Sequence, residues 1–369
     1  MEGVHKKVLV SPLDWGLGHA TRCIPIIRKL MEHQYEVVIA ASGPSGILLQ
    51  QVFPELLHLR IPAHTFTYSR TPLLFAVRII QQIPKLIQQT RKEHEWLQEQ
   101  QEIHCFDAII SDNRFGMYHP AIPSIFITHQ LGLKTGLGRV IDRMIQKIKF
   151  RKLRRFNTCW VPDVASGLSA AGSLSHPKYL PDVPVEYIGW LSGIDPADVP
   201  VQEDHILILL SGPEPLRTQW EEQLMQELKS FPQPVSFIRG LPQDATEPVQ
   251  EGNKTYYPNA SRDLLSKLIS SASCIICRSG YSSVMDLIHL GKKAVLIPTP
   301  GQPEQEYLAR HLATSGIAPY IAQKDFTLTA AMELYKQYPY KLPDESACNT
   351  SNFIVHLEKL LQHPQNITR

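Results

Sequence analysis

Residues 274–309 read CIICRSGYSSVMDLIHLGKKAVLIPTPGQPEQEYLA, and the alternation within them decides the fold. A short apolar run stops at Arg278-Ser279-Gly280, an amphipathic segment carrying Asp286 follows, and a second apolar run spans Ala294 to Ile297. Gln302-Pro303-Glu304-Gln305 then opens another helix. Apolar runs of this length between helical patterns indicate βαβ units and a parallel sheet, since strands covered on both faces need no polar alternation. Ligands of such sheets sit at the carboxyl ends of strands, where loops meet helix N-termini. There Arg278, Ser279 and Gly280 offer a cation and amides for phosphate. Asp286 offers a carboxylate for a diol, and Glu304 with Gln305 an acid and an amide for further hydroxyls. The set suits a nucleotide sugar. Arg278 has an alternative in a salt bridge to Asp286, and Asp286 one as a solvated acid on the helix face.

The same arrangement recurs upstream. His205–Leu210 (HILILL) reads as a buried strand running into the Ser211-Gly212-Pro213-Glu214-Pro215 loop, with Val235–Arg239 and Thr255–Tyr257 as the next strands. Asn259 to Asp263 resembles a helix cap where backbone groups can meet a base. Nearer the start, Lys7–Ser11 (KVLVS) runs into a loop holding Asp14, Gly16, Gly18 and His19. Further strands are expected at Glu36–Ala41, Glu55–Leu59, Asp107–Asp112, Ser124–His129 and Thr158–Pro162. The Pro-, Gly- and Asp-rich stretch around Pro184 to Pro200 marks a linker. The reading is an α/β chain of two Rossmann-like domains facing across a cleft. Residues 1–192 form the first, 193–204 the linker and 205–345 the second.

Glycines at 16 and 18 let the backbone approach a ligand. A dinucleotide fingerprint needs a third glycine where Thr21 stands, and no acid ends the strand EVVIAAS, which argues against NAD. His19, at a helix start, suits a general base, because imidazole titrates near neutrality; the alternative is a histidine bonded to its own loop. Asp14 can orient His19, act as base itself, or cap the turn. Two further strand ends, Ser111-Asp112-Asn113-Arg114 and Thr128-His129-Gln130, belong on the same sheet edge, so Asp112, Asn113 and His129 can line an acceptor pocket with Gly16 and Gly18. Ordinary loop capping is the alternative for each.

Two helical stretches stand out. Thr71 to Gln101 is long and amphipathic through Leu74, Val77, Ile80, Ile83, Leu86 and Ile87, with Pro84 expected to kink it. Residues 133–156 carry nine basic residues against Asp142 alone, a net +8 in a chain whose total is +2. Ile141, Met144, Ile145 and Ile148 give that segment an apolar face, so it suits either an anionic membrane surface or a core helix with a solvated charged face. RNA is disfavoured, because no stacking aromatics are interleaved with the cations.

Composition closes other routes. With 37 basic and 35 acidic residues in 369 there is no global pull toward nucleic acid. The beginning of the chain lacks the pattern of a secretory signal, and no apolar run approaches bilayer length, so the cytoplasm is expected, with peripheral attachment open through 133–156. The six cysteines show no zinc spacing. Cys274 and Cys277 fall inside an apolar strand, which favours packing over redox chemistry.

At Ser279-Gly280-Tyr281-Ser282-Ser283-Val284-Met285-Asp286 and Glu304-Gln305-Glu306-Tyr307-Leu308-Ala309 the sequence resembles GT-B glycosyltransferases. It is similar in pattern to the MurG family, the UDP-N-acetylglucosamine transferases of peptidoglycan synthesis, and to related bacterial and archaeal glycosyltransferases. Gly16-Leu17-Gly18-His19-Ala20-Thr21-Arg22 resembles the GxGHxxR opening of one branch. The resemblance implies a GT-B fold in which Asp286 holds ribose hydroxyls and Glu304 and Gln305 the donor sugar. Ser279 and Gly280 with Ser211 and Gly212 would face the diphosphate, backbone near Asn259 the uracil, and His19 the reacting centre. It implies residues 346–369 returning as a helix to the first domain, and no cofactor or metal; the lack of Asp-x-Asp agrees with the latter. The first loop, DWGLGH, is poorer in glycine than the peptidoglycan enzyme's, and THQLG replaces its acceptor-side sequence.

The expectation is an inverting, metal-independent transfer of a hexosyl or N-acetylhexosaminyl group from a UDP-sugar to a hydroxyl acceptor of open identity. A lipid-linked or membrane-surface compound is among the candidate acceptors. The rivals are a nucleotide-sugar 2-epimerase of the same fold and a non-catalytic sugar-nucleotide or lipid-binding subunit. A serine hydrolase is disfavoured without a GxSxG elbow.

Overall fold

The computed structural model describes residues 5–14, 16–62, 72–241, 247–343 and 352–362, with backbone alone for 72–83 and 352. Leu74, Val77, Ile80 and Ile83 of the expected amphipathic face therefore lie outside the described side chains, as Thr71 and Cys348 lie outside the described residues. The chain divides into one unit of Met1–Gly193 with Cys348–Arg369, and another of Ile194–Ala347.

The first unit opens with β1 (Lys7–Pro12), α1 (Leu17–Glu32), β2 (Glu36–Ala41), α2 (Gly43–Val52), β3 (Leu57–Arg60), α3 (Pro72–His104) and β4 (Ala108–Asp112). It continues with β5 (Ser124–Ile127), α4 (Arg139–Leu153), β6 (Thr158–Val161) and β7 (Val185–Tyr187). These strands form a seven-stranded sheet in the order β3-β2-β1-β4-β5-β6-β7, parallel throughout. Val8, Leu9 and Val10 are buried, as are Ile109, Ile110, Ile125 and Phe126. Continuous apolar runs make sense only where both faces of the sheet are covered. Helix α3 runs through Pro84 as one element.

The second unit holds β8 (Gln202–Leu209), α5 (Leu216–Leu228), β9 (Val235–Ile238), β10 (Val249–Glu251), β11 (Lys254–Tyr257), α6 (Arg262–Ser271) and β12 (Ala272–Cys277). It continues with α7 (Tyr281–His289), β13 (Ala294–Leu296), α8 (Pro303–Thr314) and α9 (Leu328–Gln337). Its six-stranded sheet runs β10-β11-β9-β8-β12-β13, parallel except for the β10–β11 hairpin. A core of Ile206, Ile208, Trp220, Leu224, Phe237, Ile276, Val295 and Phe326 fills one face.

The linker reading needs two corrections. Val185–Tyr187 is not linker but an edge strand paired to β6, and Gln202–Asp204 is already β8. Pro184 immediately before it hid the first of these, since edge strands tolerate proline. The last helix, α10 (Asn352–Gln362), groups with the first unit, where Phe353 is buried with its ring 5.4 Å from that of Trp160. Among the described residues no helix is long and apolar enough to cross a membrane.

Candidate active site

In the first unit the chemistry gathers at the carboxyl ends of β1, β4 and β5. Gly16, whose φ of 104° only glycine adopts without strain, caps α1, so the helix begins at Leu17 and puts Gly18 and His19 in its first turn. His19 Nδ1 lies 3.1 Å from Asp112 Oδ2 at the end of β4. Arg22, one turn along α1, donates from Nε to Asp112 Oδ2 at 2.6 Å and from Nη2 to Oδ1. Its Nη2 is also 2.7 Å from His19 Nδ1, and its Nη1 donates to His129 Nδ1 at 3.2 Å. Asn113, held at a left-handed φ of 57°, donates to Asp112 Oδ1 at 3.3 Å.

Asp112 and Arg22 are fully buried, which would be prohibitive for either charge alone. Burial by itself would raise the Asp112 carboxyl; the Arg22 guanidinium and then His19 override this and hold it at about 2. With its proton on Nδ1, His19 donates to Asp112, and Nε2 carries the lone pair that a base needs. With Arg22 donating to Nδ1 instead, the proton sits on Nε2. The buried ion pair thus sets the ring's orientation, and whichever of its members Nδ1 bonds fixes the tautomer.

One prediction follows from the sign of the shift. The carboxyl titrates near 2 in the folded chain against an ordinary value of 3.8, so its contribution is complete above about pH 4 and is lost as pH falls toward 2. Unfolding free energies from urea titrations at pH 6 and pH 3 should differ more for the wild type than for Asp112→Asn, by about 1 kcal/mol. Equal pH slopes in the two proteins would contradict the pairing.

The sequence reading assigned the orienting carboxylate to Asp14 as one option. The structure brings Asp112 against His19. Asp14 instead sits 3.5 Å from Arg114 Nη2 and accepts from Ser42 Oγ at 3.2 Å. Arg114 is buried, donates to Pro12 O at 2.7 Å and pairs with buried Glu93 of α3. Glu93 carried no sequence signal, because only the fold brings that helix to the strand ends.

In the second unit the ends of β8, β12 and β13 lie side by side, with Cys277 in register with both Leu209 and Leu296. Ser211 and Gly212 follow β8, and Gly212 has a φ of 120°. Ser279 and Gly280 follow β12; Gly280 caps α7 with no side-chain hydrogen bond, and a Cβ there would meet nothing within 4 Å. A helix N-terminus is a place where backbone amides and the helix dipole favour an anion. Asp286 is half-buried on α7. Ser279 Oγ donates to Gln305 O at 2.8 Å, the Gln305 Oε1 accepts from Thr299 N at 3.0 Å, and its Nε2 donates to Gln302 Oε1 at 2.7 Å. Glu304 stands half-buried in the first turn of α8. Asn259 is exposed just before Ser261, which is the residue that caps α6 by accepting from Leu264 N.

Arg278 is a correction. Its side chain is turned into the core, and it does not pair with an acid among the described residues. It is buried, donates from Nη1 to Ile297 O at 3.1 Å and from Nη2 to Gln323 Oε1 at 2.9 Å, and lies 3.9 Å over the Trp220 ring. Burial lowers its pKa to about 9. Its charge is spread over backbone carbonyls and an aromatic face rather than neutralised. Cys274 and Cys277 are both buried in β12, and burial pushes the Cys277 thiol up to about 12, so neither is a reactive thiolate.

Residues 223–359 match the Glycosyltransferase family 28 C-terminal domain. Over 83 residues the chain is 36% identical to the UDP-N-acetylglucosamine–N-acetylmuramyl-(pentapeptide) pyrophosphoryl-undecaprenol N-acetylglucosamine transferase of Desulforudis audaxviator, covering 21% of this chain and 22% of that one. Over 92 residues it is 29% identical to the Pasteurella multocida protein of the same name, covering 23% and 26%. The matched stretch thus spans about a quarter or less of these curated relatives. Among solved structures, the glycotransferase of kitacinnamycin superposes with a TM-score of 0.69 at 14% identity, covering 97% of this chain and 99% of that one. MurG of Acinetobacter baumannii gives 0.54 at 18% identity, covering 97% and 99%. At such identities these likenesses establish the fold, which is GT-B.

Proposed function

With a glycosyltransferase family 28 C-terminal domain at residues 223–359 as the premise, we propose that the chain transfers a hexosyl or N-acetylhexosaminyl group from a UDP-sugar to an acceptor hydroxyl. The observation that carries this reading is the row of three adjacent strand ends in the second unit. They offer the α7 N-terminus and Gly212 to a diphosphate, Asp286 to ribose hydroxyls, and Glu304 with the Gln305 amide to the sugar. Asn259 stands where the uracil would meet backbone.

In the first unit His19, held by Asp112 and Arg22, takes the acceptor's proton as its oxygen attacks the anomeric carbon. The bond from that carbon to the diphosphate breaks on the opposite side, UDP leaves, and the centre inverts. Oriented amides at helix N-termini stabilise the charge that develops on the leaving diphosphate, which is why no metal is assigned to the step. His129 and Asn113 border the base and line the acceptor side together with Gly16 and Gly18. The acceptor is a lipid-linked or membrane-surface hydroxyl compound met in the cytoplasm.

Asp286→Ala tests the donor half. A carboxylate that accepts from two ribose hydroxyls contributes about 1.5–3 kcal/mol, so UDP affinity should fall roughly 10- to 100-fold. Calorimetry on the purified variant reads this directly. Unchanged UDP affinity would remove Asp286 from the donor site.

A further inference from the structure

We propose that the Thr299 hydroxyl donates a hydrogen bond to the diphosphate of the nucleotide sugar, an assignment that rests on the transfer reading and adds a residue to it. Thr299 follows β13 and is fully buried. Its backbone is held on every side. The N donates to Gln305 Oε1 at 3.0 Å, the O accepts from Gln302 N at 3.2 Å, and the carbonyl just before it, Pro298 O, accepts from Arg278 Nη1 at 3.4 Å. The Oγ1 is different: it is closed from water and has no hydrogen-bond partner among the described residues. Native folds seldom bury a hydroxyl in that way, because its lost bonds to water go unreplaced.

Gly212 is what faces this hydroxyl: a Cβ built on it would stand 3.9 Å from Thr299 Oγ1. Strand β12 lies between β8 and β13, so the loop after β8 leans across the end of β12 to reach Thr299. Ser211 and Gly212 are both exposed, and neither makes a hydrogen bond with a described residue. The cover over the hydroxyl is therefore one loop thick and held by packing alone. A glycine at its centre, with a φ of 120°, lets it turn aside and lets an oxygen atom approach where a side chain would stand.

Of the parts of a nucleotide sugar, the diphosphate suits this place. The hydroxyl has a proton to give, and phosphate oxygens only accept, through a charge-assisted bond. The backbone read as meeting the base follows β11, on the far side of β8 from Thr299, and Glu304, read as a partner of the sugar, lies further along in α8. Ser279 and Gly280 end β12 between the two loops. A phosphate held there is flanked by Gly212 on one side and by Thr299 on the other.

Thr299→Val keeps the shape of the side chain and removes the hydroxyl, so it separates a ligand contact from a structural one. Calorimetry on the full chain should show T299V binding UDP about tenfold more weakly. Thr299→Ser, which keeps the hydroxyl, should stay within about threefold of the wild type. Uridine, which carries no phosphate, should bind all three proteins alike. T299V should also melt no lower than the wild type, since a methyl group replaces a buried hydroxyl without a partner. A clear fall in melting temperature would show that the hydroxyl is bonded within the fold. Equal UDP affinity in T299V and the wild type, or a loss shared by uridine, would show that it does not meet the diphosphate. Each of these results overturns the assignment while UDP binding by the wild type keeps the donor site in place. A wild type that binds no UDP overturns the donor reading as well.

Discussion

His19→Ala should lower kcat by about 10²- to 10⁴-fold while leaving the affinity for UDP within about twofold of the wild type. The expectation rests on position. His19 lies in the first unit, and each group proposed to grip the donor lies in the second. Its Nδ1 faces Asp112 at 3.1 Å and Arg22 at 2.7 Å, so the variant loses the base and leaves the ion pair behind it intact. Single-turnover transfer with a labelled donor, beside calorimetry of UDP, reads the two quantities separately. If UDP affinity falls together with kcat, His19 contacts the donor and the base assignment is wrong. If the donor is altered by wild-type enzyme with no acceptor present, as one-substrate NMR would detect, the chemistry is epimerisation instead.

Trp220→Ala should be the most destabilising single change in the second unit, by about 3–5 kcal/mol, and should lower its melting temperature by roughly 10 °C. Trp220 is fully buried in the core beside Phe326, with ring centroids 6.2 Å apart. Removing it opens a cavity and also strips the aromatic face from the Arg278 guanidinium 3.9 Å above it, a buried cation with no carboxylate beside it among the described residues. Trp220→Phe keeps a ring under the cation and should recover more than half of the loss. Differential scanning calorimetry of the three proteins decides the matter: an alanine variant that melts with the wild type would show that the ring carries no such load.

These two residues also show where the sequence is readable and where it is not. The apolar runs at 7–11, 206–210 and 274–277 name their own strands, because only a doubly covered parallel sheet accepts them, and so the two-sheet architecture was legible. Val249–Glu251 and Val185–Tyr187 were missed because short edge strands make too few contacts to need an apolar signature. At the site, His19 was visible as a histidine at a glycine-rich strand end. Its partner was not: Asp14 is nearer in sequence, but parallel pairing of β1 with β4 brings Asp112 across the sheet edge. Arg278 failed for the converse reason. A cation just past a strand reads as a phosphate ligand, yet its side chain folds inward onto a ring contributed by α5, a contact no local pattern encodes.

The first unit is interrupted in sequence, since residues 194–347 intervene between its sheet and α10. Synthesis on the ribosome therefore delivers the seven-stranded sheet first and the helix bearing Phe353, which packs on Trp160, only afterwards. At about 5–20 residues per second the intervening block takes roughly 10–30 s to emerge. For that interval the sheet waits with the apolar ground around Trp160 uncovered, while the second unit, whose described strands and helices are contiguous in sequence, can already close on itself. The nascent chain is thus most exposed to chaperones and to misassembly in the half that carries the proposed base.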